Sequence, residues 1–138
     1  MKSRMPWVMS AATAQPSGQS STPTPLNINA AQPGLLAPGA FRVAGTHYVA
    51  AVHSATGAFV SNGKIPGVVT APAIAGETLT FYGIGFGPLT QGKIAGQIAT
   101  GQTAVANRFT MNIGGSEAAV SYAGLAPGLV GVYQFNVV

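Results

Sequence analysis

Residues 114–138 read GGSEAAVSYAGLAPGLVGVYQFNVV, and this stretch indicates the fold more clearly than any other part of the chain. Ala118–Tyr122 and Val132–Val137 are predicted to be two strands, and in the second of them Tyr133, Phe135 and Val137 alternate with Gln134 and Asn136, a pattern typical of a strand with one buried face. Gly114-Gly115 marks a turn, and a loop rich in Gly over residues 124–131 connects the two segments. The stretch therefore predicts the closing strands of an all-β domain.

The same alternation recurs upstream in short segments separated by turn signals. The predicted strands are Leu26–Ala30, Phe41–Val43, His47–His53, Glu77–Tyr82 and Arg108–Ile113. Asn62-Gly63, flanked by Val60 and Ile65, is typical of a two-residue hairpin. No segment keeps a period of 3.6 residues. Together these patterns predict an Ig-like antiparallel β-sandwich of about seven strands with little or no helix.

The composition fits one globular domain preceded by an arm. The chain has 138 residues, of which 47% are hydrophobic and 6% charged, whereas an ordinary domain has about 25% charged residues. Residues 10–25 contain almost no large apolar side chain, so residues 1–25 are predicted to be a flexible arm and residues 26–138 the sandwich. Lys2 and Arg4 resemble the start of a signal peptide, but the apolar run after them is short and contains Pro6.

Several partner and cofactor classes do not fit this composition. The six basic residues are scattered, so no nucleic-acid partner is expected. Cysteine is absent, which excludes disulfides and thiolate zinc sites. His47 and His53 would lie roughly 20 Å apart in one strand and could not share a metal ion, so neither a metal nor another cofactor is expected. No apolar run reaches about 18 residues, so no membrane span is expected.

Four motifs carry a resemblance to a known family. They are Gly76–Pro88, Ile113–Gly115, Tyr122–Gly128 and Tyr133–Val137. Over residues 26–138 the chain resembles an uncharacterised family of bacterial C-terminal domains, abundant in Acidobacteria, that look like Ig-like sandwiches of the IPT/TIG type. The resemblance implies a secreted or cell-surface setting, no established activity, and a chain that is part of a longer protein.

Catalytic residue types are scarce. A small hydrolase would have to use Glu77 or Glu117 with His53 and a serine, because the chain has no other carboxylate side chains. Both glutamates follow turn residues and are predicted to be solvated, and the histidines to be ordinary surface residues. The glycines of residues 83–87 precede Pro88 rather than a helix, so they indicate a strand end and not a nucleotide-binding loop.

The leading interpretation is a non-catalytic extracellular Ig-like module that acts as a spacer or an adhesion or interaction domain. Its partner would be a protein or a polysaccharide. The alternative is a carbohydrate-binding module whose aromatic platform contains Trp7 and Tyr82, since Tyr82 falls on the Thr80 face of its strand. Unpaired edge strands with few charges also predict a homodimer.

Two polar residues of the last strand leave two interpretations open. Gln134 and Asn136 share a face of that strand with Val132. Either they face solvent, or they are buried and bind the backbone of the 125–129 loop.

Overall fold

The computed structural model describes residues 9–14, 16–92 and 96–138, and this part of the chain is nearly all β. The all-β prediction is confirmed. Two single-turn 3₁₀ helices occur, at Pro16–Gly18 and Gly39–Phe41, and no helix among the described residues is long and apolar enough to cross a membrane. The strands are β1 (Met9–Ala12), β2 (Thr24–Asn27), β3 (Gly34–Leu35), β4 (Arg42–Val43), β5 (Thr46–His47), β6 (Ala51–His53), β7 (Phe59–Val60), β8 (Thr70–Ala71), β9 (Leu79–Ile84), β10 (Met111–Ile113), β11 (Ser116–Ala118), β12 (Val120–Leu125) and β13 (Tyr133–Val137).

The chain separates into two compact units, residues 1–30 and residues 31–138. In the first unit, β1 and β2 pair antiparallel, and the Ser21 backbone N–H donates to the Ala14 carbonyl at 2.8 Å. The ladder thus joins residues 9–12 of the predicted arm to residues 24–27, which cross its predicted end at residue 25. The flexibility of the arm stays a prediction. The division follows Ala30, five residues after the predicted boundary.

The second unit is built on one sheet with the order β12-β13-β9-β6-β7-β8, and β3 also pairs with β9. All pairs in this sheet are antiparallel except β7 and β8, which are parallel. The predicted Asn62-Gly63 hairpin is therefore wrong. The chain does not turn back on β7 but leaves the sheet, and Ile65 is buried there, with 3% of its surface exposed. It then returns beside β7, where the Phe59 N–H donates to the Val69 carbonyl.

The segment His47–His53 was predicted to be one strand and is divided into β5 and β6. Between them the Tyr48 N–H donates to the Phe41 carbonyl and the Ala50 N–H to the Leu36 carbonyl. Ala50 is buried with Phe41 in a second apolar cluster. Packing of this cluster outweighs the continuous strand that local propensity favours.

The main core lies on one face of the large sheet. Its buried residues are Ala51, Phe81, Phe135 and Val137. Phe86 and Phe109 cover Phe135, with ring centroids 4.4 and 5.3 Å away. The β10–β11 hairpin adds Met111 and Ala118 to the same cluster. A second layer of this hairpin and the neighbouring loop residues thus covers the sheet, which gives a sandwich-like arrangement.

Loop residues cover part of the outer edge of β12. The Val105 N–H donates to the Ala123 carbonyl at 3.0 Å, and the Leu125 N–H donates to Thr103 Oγ1 at 2.6 Å. These bonds occupy backbone groups that would otherwise be open to another strand. The predicted homodimer through edge strands stays a prediction, with less of this edge available to it.

Candidate functional site

The closest acid and base in the described part of the chain are Glu77 and His53. His53 ends β6 and lies opposite Leu79, the first residue of β9. Glu77 precedes Leu79 by two positions, so this pairing brings His53 close to Glu77. His53 Nδ1 lies 2.6 Å from Glu77 Oε2, and Nε2 lies 3.1 Å from the Ala71 carbonyl oxygen. Both partners have acceptor oxygens, so the two contacts are satisfied together when both ring nitrogens donate, as they do in the imidazolium form.

Glu77 is also held by the backbone. Its Oε1 accepts the Ile74 N–H at 2.5 Å. That bond, together with the one from His53, lowers the pKa of Glu77. The hydrogen bonds to Glu77 and to the Ala71 carbonyl raise the pKa of His53, against the opposing effect of burial. The ion pair therefore ties β6, β8 and the turn before β9 together.

Two predictions about these residues are wrong. Glu77 was expected to be solvated and His53 to lie on the surface, whereas their side chains are 24% and 7% exposed. The reason is tertiary, since residues 71–77 pass over the end of β6 and supply the two acceptors. Glu117, by contrast, is exposed on β11 as expected and takes no part in the pair.

The ion pair predicts a pH dependence of stability. A raised His53 pKa stabilises the fold below pH 6.5, and this contribution is lost as the pH rises through the folded value. A lowered Glu77 pKa stabilises it above pH 4.5, and this contribution is lost as the pH falls through the folded value. We therefore expect the largest stability difference between the wild type and His53→Gln from pH 4.5 to 6.5.

Urea unfolding midpoints measured from about pH 3 to 9 check this prediction. The control is His47→Gln, because His47 is exposed in β5 and takes no part in the ion pair. Parallel profiles for the wild type and His53→Gln would contradict the prediction.

A chain of hydrogen-bonded polar side chains lies on the face of the large sheet opposite to the main core. Ser54 Oγ and Thr80 Oγ1 are 2.8 Å apart, and Thr80 Oγ1 donates to Asn136 Oδ1 at 3.1 Å. Gln134 Nε2 donates to the same Oδ1 at 2.9 Å. Gln134 and Asn136 are both half-buried. Asn136 is bonded to Thr80 of the neighbouring strand β9, and Gln134 is bonded to Asn136 within β13. Neither open interpretation anticipated this, because the sequence shows the alternation but not which strand lies beside β13.

The 125–129 loop is held by backbone hydrogen bonds between Ala99 and both Gly128 and Leu129, and Tyr122 contacts its first residue. The Tyr122 hydroxyl donates to the Leu125 carbonyl at 2.8 Å. Tyr133 is half-buried, packs against the main core and donates its hydroxyl to the Gly87 carbonyl. Burial raises the pKa of this phenol. Both tyrosines therefore have structural partners within the domain.

Tyr82, one of the two residues predicted for a glycan platform, is half-buried. It lies opposite Gln134 in the β9–β13 ladder, on the same face as the polar chain of Ser54, Thr80, Asn136 and Gln134. Trp7, the other predicted platform residue, lies outside the described residues. A joint platform of the two stays a prediction.

The glycines of residues 83–87 end strand β9 without forming an open loop. Gly85 has a φ of 76°, and a Cβ placed on it would lie 2.2 Å from the Gln32 carbonyl oxygen. The Gln32 N–H donates to the Gly85 carbonyl at 2.8 Å. Because protein backbone occupies the space beside Gly85, these glycines have a structural role and do not receive a phosphate.

Residues 9–14, 16–92 and 96–138 contain no cluster of three or more His, Cys, Asp or Glu side chains that could hold a metal ion. Comparisons with protein-family models, with curated proteins and with solved structures found no match to this chain. The resemblance to IPT/TIG-type bacterial domains therefore stays a prediction.

Proposed function

We propose that this chain is a non-catalytic extracellular Ig-like module that serves as a spacer or an adhesion or interaction domain. The observation that carries the proposal is the saturation of the His53–Glu77 pair. Both imidazole nitrogens and both carboxylate oxygens have partners within the domain. A general base or acid needs a free site toward substrate, and this pair is instead used to join three segments of the fold.

The character of the surface also supports a binding or spacer role. Large aliphatic side chains are exposed in separate loops and strand ends, among them Val69, Ile74, Ile98 and Val130. With 6% charged residues, little charge surrounds them. Single exposed aliphatic side chains are ordinary at a protein surface, so they fit the spacer role as well as a binding role.

The extracellular setting is supported by the resemblance of residues 26–138 to bacterial C-terminal domains of the IPT/TIG type. In such a setting the partner would be a protein or a polysaccharide at the cell surface.

A turnover assay tests the non-catalytic role. The purified protein and its Glu77→Gln variant are incubated with 4-nitrophenyl esters and 4-nitrophenyl glycosides, and release of 4-nitrophenol is followed. We expect both proteins to match the buffer blank, because the carboxylate is committed to His53 and Ile74. Turnover by the wild type that disappears in Glu77→Gln would overturn the proposal.

Carbohydrate binding is a second candidate function, favoured by the placement of Tyr82 beside Gln134. An aromatic ring next to side-chain amides can stack on a sugar and bond its hydroxyls. We expect retention on an insoluble polysaccharide to weaken about fivefold in Tyr82→Ala, since an aromatic contact contributes about 1 kcal/mol. Depletion assays over a panel of polysaccharides measure this, with His47→Ala as the control; equal retention of both variants would contradict it.

A further inference from the structure

An apolar groove lies on the Phe135 side of the sheet, opposite the face that carries Tyr82. It encloses about 490 Å³, within the range of roughly 300–1,000 Å³ that small-molecule sites occupy. The larger apolar residues that line it are Pro33, Leu35, Phe86, Val105, Phe109 and Met111. Phe86 and Phe109 are held in place by Phe135, so this lining rests on the rigid core.

Polar side chains surround the groove along one segment. They are Asn107, Arg108, Thr110 and Asn112. Arg108 is exposed, and within the described part of the chain its guanidinium has no hydrogen bond or ion pair. Five N–H donors on a planar cation therefore stand free beside an apolar surface.

No carboxylate neutralises this cation. Neither glutamate lines the groove, and Glu77 is bonded to His53. Glu117 lies opposite Asn112 in the β10–β11 ladder and forms no ion pair with a described residue. The groove thus combines an apolar lining with one positive charge at its rim.

We propose that this groove binds a small apolar molecule that carries a single anionic group. The apolar body lies against Leu35, Phe86 and Phe109, and the anion accepts hydrogen bonds from the Arg108 guanidinium. The amides of Asn107 and Asn112 supply further donors. This ligand class differs from the protein or polysaccharide partner of the proposed module, so the groove adds a separate small-molecule site to that function.

Two fluorescent probes of the same skeleton test the proposal. 8-Anilinonaphthalene-1-sulfonate has two apolar ring systems and a sulfonate, and N-phenyl-1-naphthylamine lacks the sulfonate. Fluorescence titration of the folded protein should give saturable binding of both probes. We expect Arg108→Gln to lower the affinity for the sulfonate probe about fivefold, which corresponds to loss of one exposed charge contact of about 1 kcal/mol. The affinity for the neutral probe should stay unchanged.

Three further variants locate the site. Leu35→Asn should lower the affinity for both probes, because it removes an exposed part of the apolar lining. Glu117→Gln should raise the affinity for the sulfonate probe slightly, because it removes the negative charge opposite Asn112 in the β10–β11 ladder. Arg42→Gln is the matched control, since Arg42 is an exposed arginine in β4 outside the groove, and it should change neither probe.

The proposal is overturned if Arg108→Gln and Arg42→Gln affect the sulfonate probe equally, if Leu35→Asn changes neither probe, or if the wild type binds neither. Each of these results would leave the turnover assay unchanged. Failure of the groove proposal is therefore distinguishable from failure of the proposed non-catalytic function. The latter would be shown only by turnover that is lost in Glu77→Gln.

Discussion

Phe135→Ala should lower the free energy of unfolding by about 3–5 kcal/mol, the range measured for removal of a large side chain from a core. Phe135 is 0% exposed. It pairs with Phe81 across the sheet, and Phe86 and Phe109 pack on its ring from the second layer. Because the side chain joins the two layers, the cavity left by alanine cannot close without moving both.

Urea unfolding followed by circular dichroism measures this loss. Ile84→Ala is the control, since Ile84 also belongs to the sheet but is 51% exposed; it should cost no more than about 0.5 kcal/mol. The loss expected for Phe135→Ala is a large part of the 5–15 kcal/mol by which domains are usually stable. A Phe135→Ala midpoint equal to that of Ile84→Ala would contradict the prediction.

Gly124→Ala should be the most damaging change at a glycine of ordinary backbone conformation. A Cβ at this position would lie 2.1 Å from the Thr103 carbonyl oxygen, and backbone cannot move aside as a side-chain end can. We expect a loss of about 1–3 kcal/mol, the usual cost of forced overpacking. The displaced loop would also release the Val105 and Thr103 bonds that cover β12.

Gly34→Ala provides the matched control. Gly34 also lies in a strand, β3, and a Cβ there would meet nothing within 4 Å. Urea midpoints should separate the two variants, and light scattering should show association of Gly124→Ala alone, because its β12 edge is open to pairing. A Gly124→Ala protein as stable and as monomeric as Gly34→Ala would be the contrary result.

The alternation of apolar and polar residues was sufficient to predict the central strands. It predicted Glu77–Tyr82 and Val132–Val137, which correspond to β9 and β13. The paired glycines predicted the turn at Gly114-Gly115 between β10 and β11. These segments follow the period of two because one face meets the core. The signal was misleading at Asn62-Gly63, where local turn chemistry was outweighed by burial of Ile65.

The candidate sites were less accessible from the sequence. His53 and Glu77 are 24 positions apart, and nothing in their local patterns indicates that they meet. Arg108 and Phe109 were read as part of a strand, but the loop they form borders a groove with residues 33–35. Each site depends on segments distant in the chain, and alternation within one segment carries no information about its neighbours.

The sequence by itself determined that this protein is all-β, poor in charge and short of catalytic residue types. Period-two alternation, turn residues and composition are local properties, so they can be read along the chain. Only the tertiary structure decided that β7 and β8 run parallel, that His53 and Glu77 form a half-buried ion pair, and that Arg108 stands beside an apolar groove. Those features arise where buried side chains such as Ile65 and Phe135 bring distant segments together, since burial acts between segments and not within them.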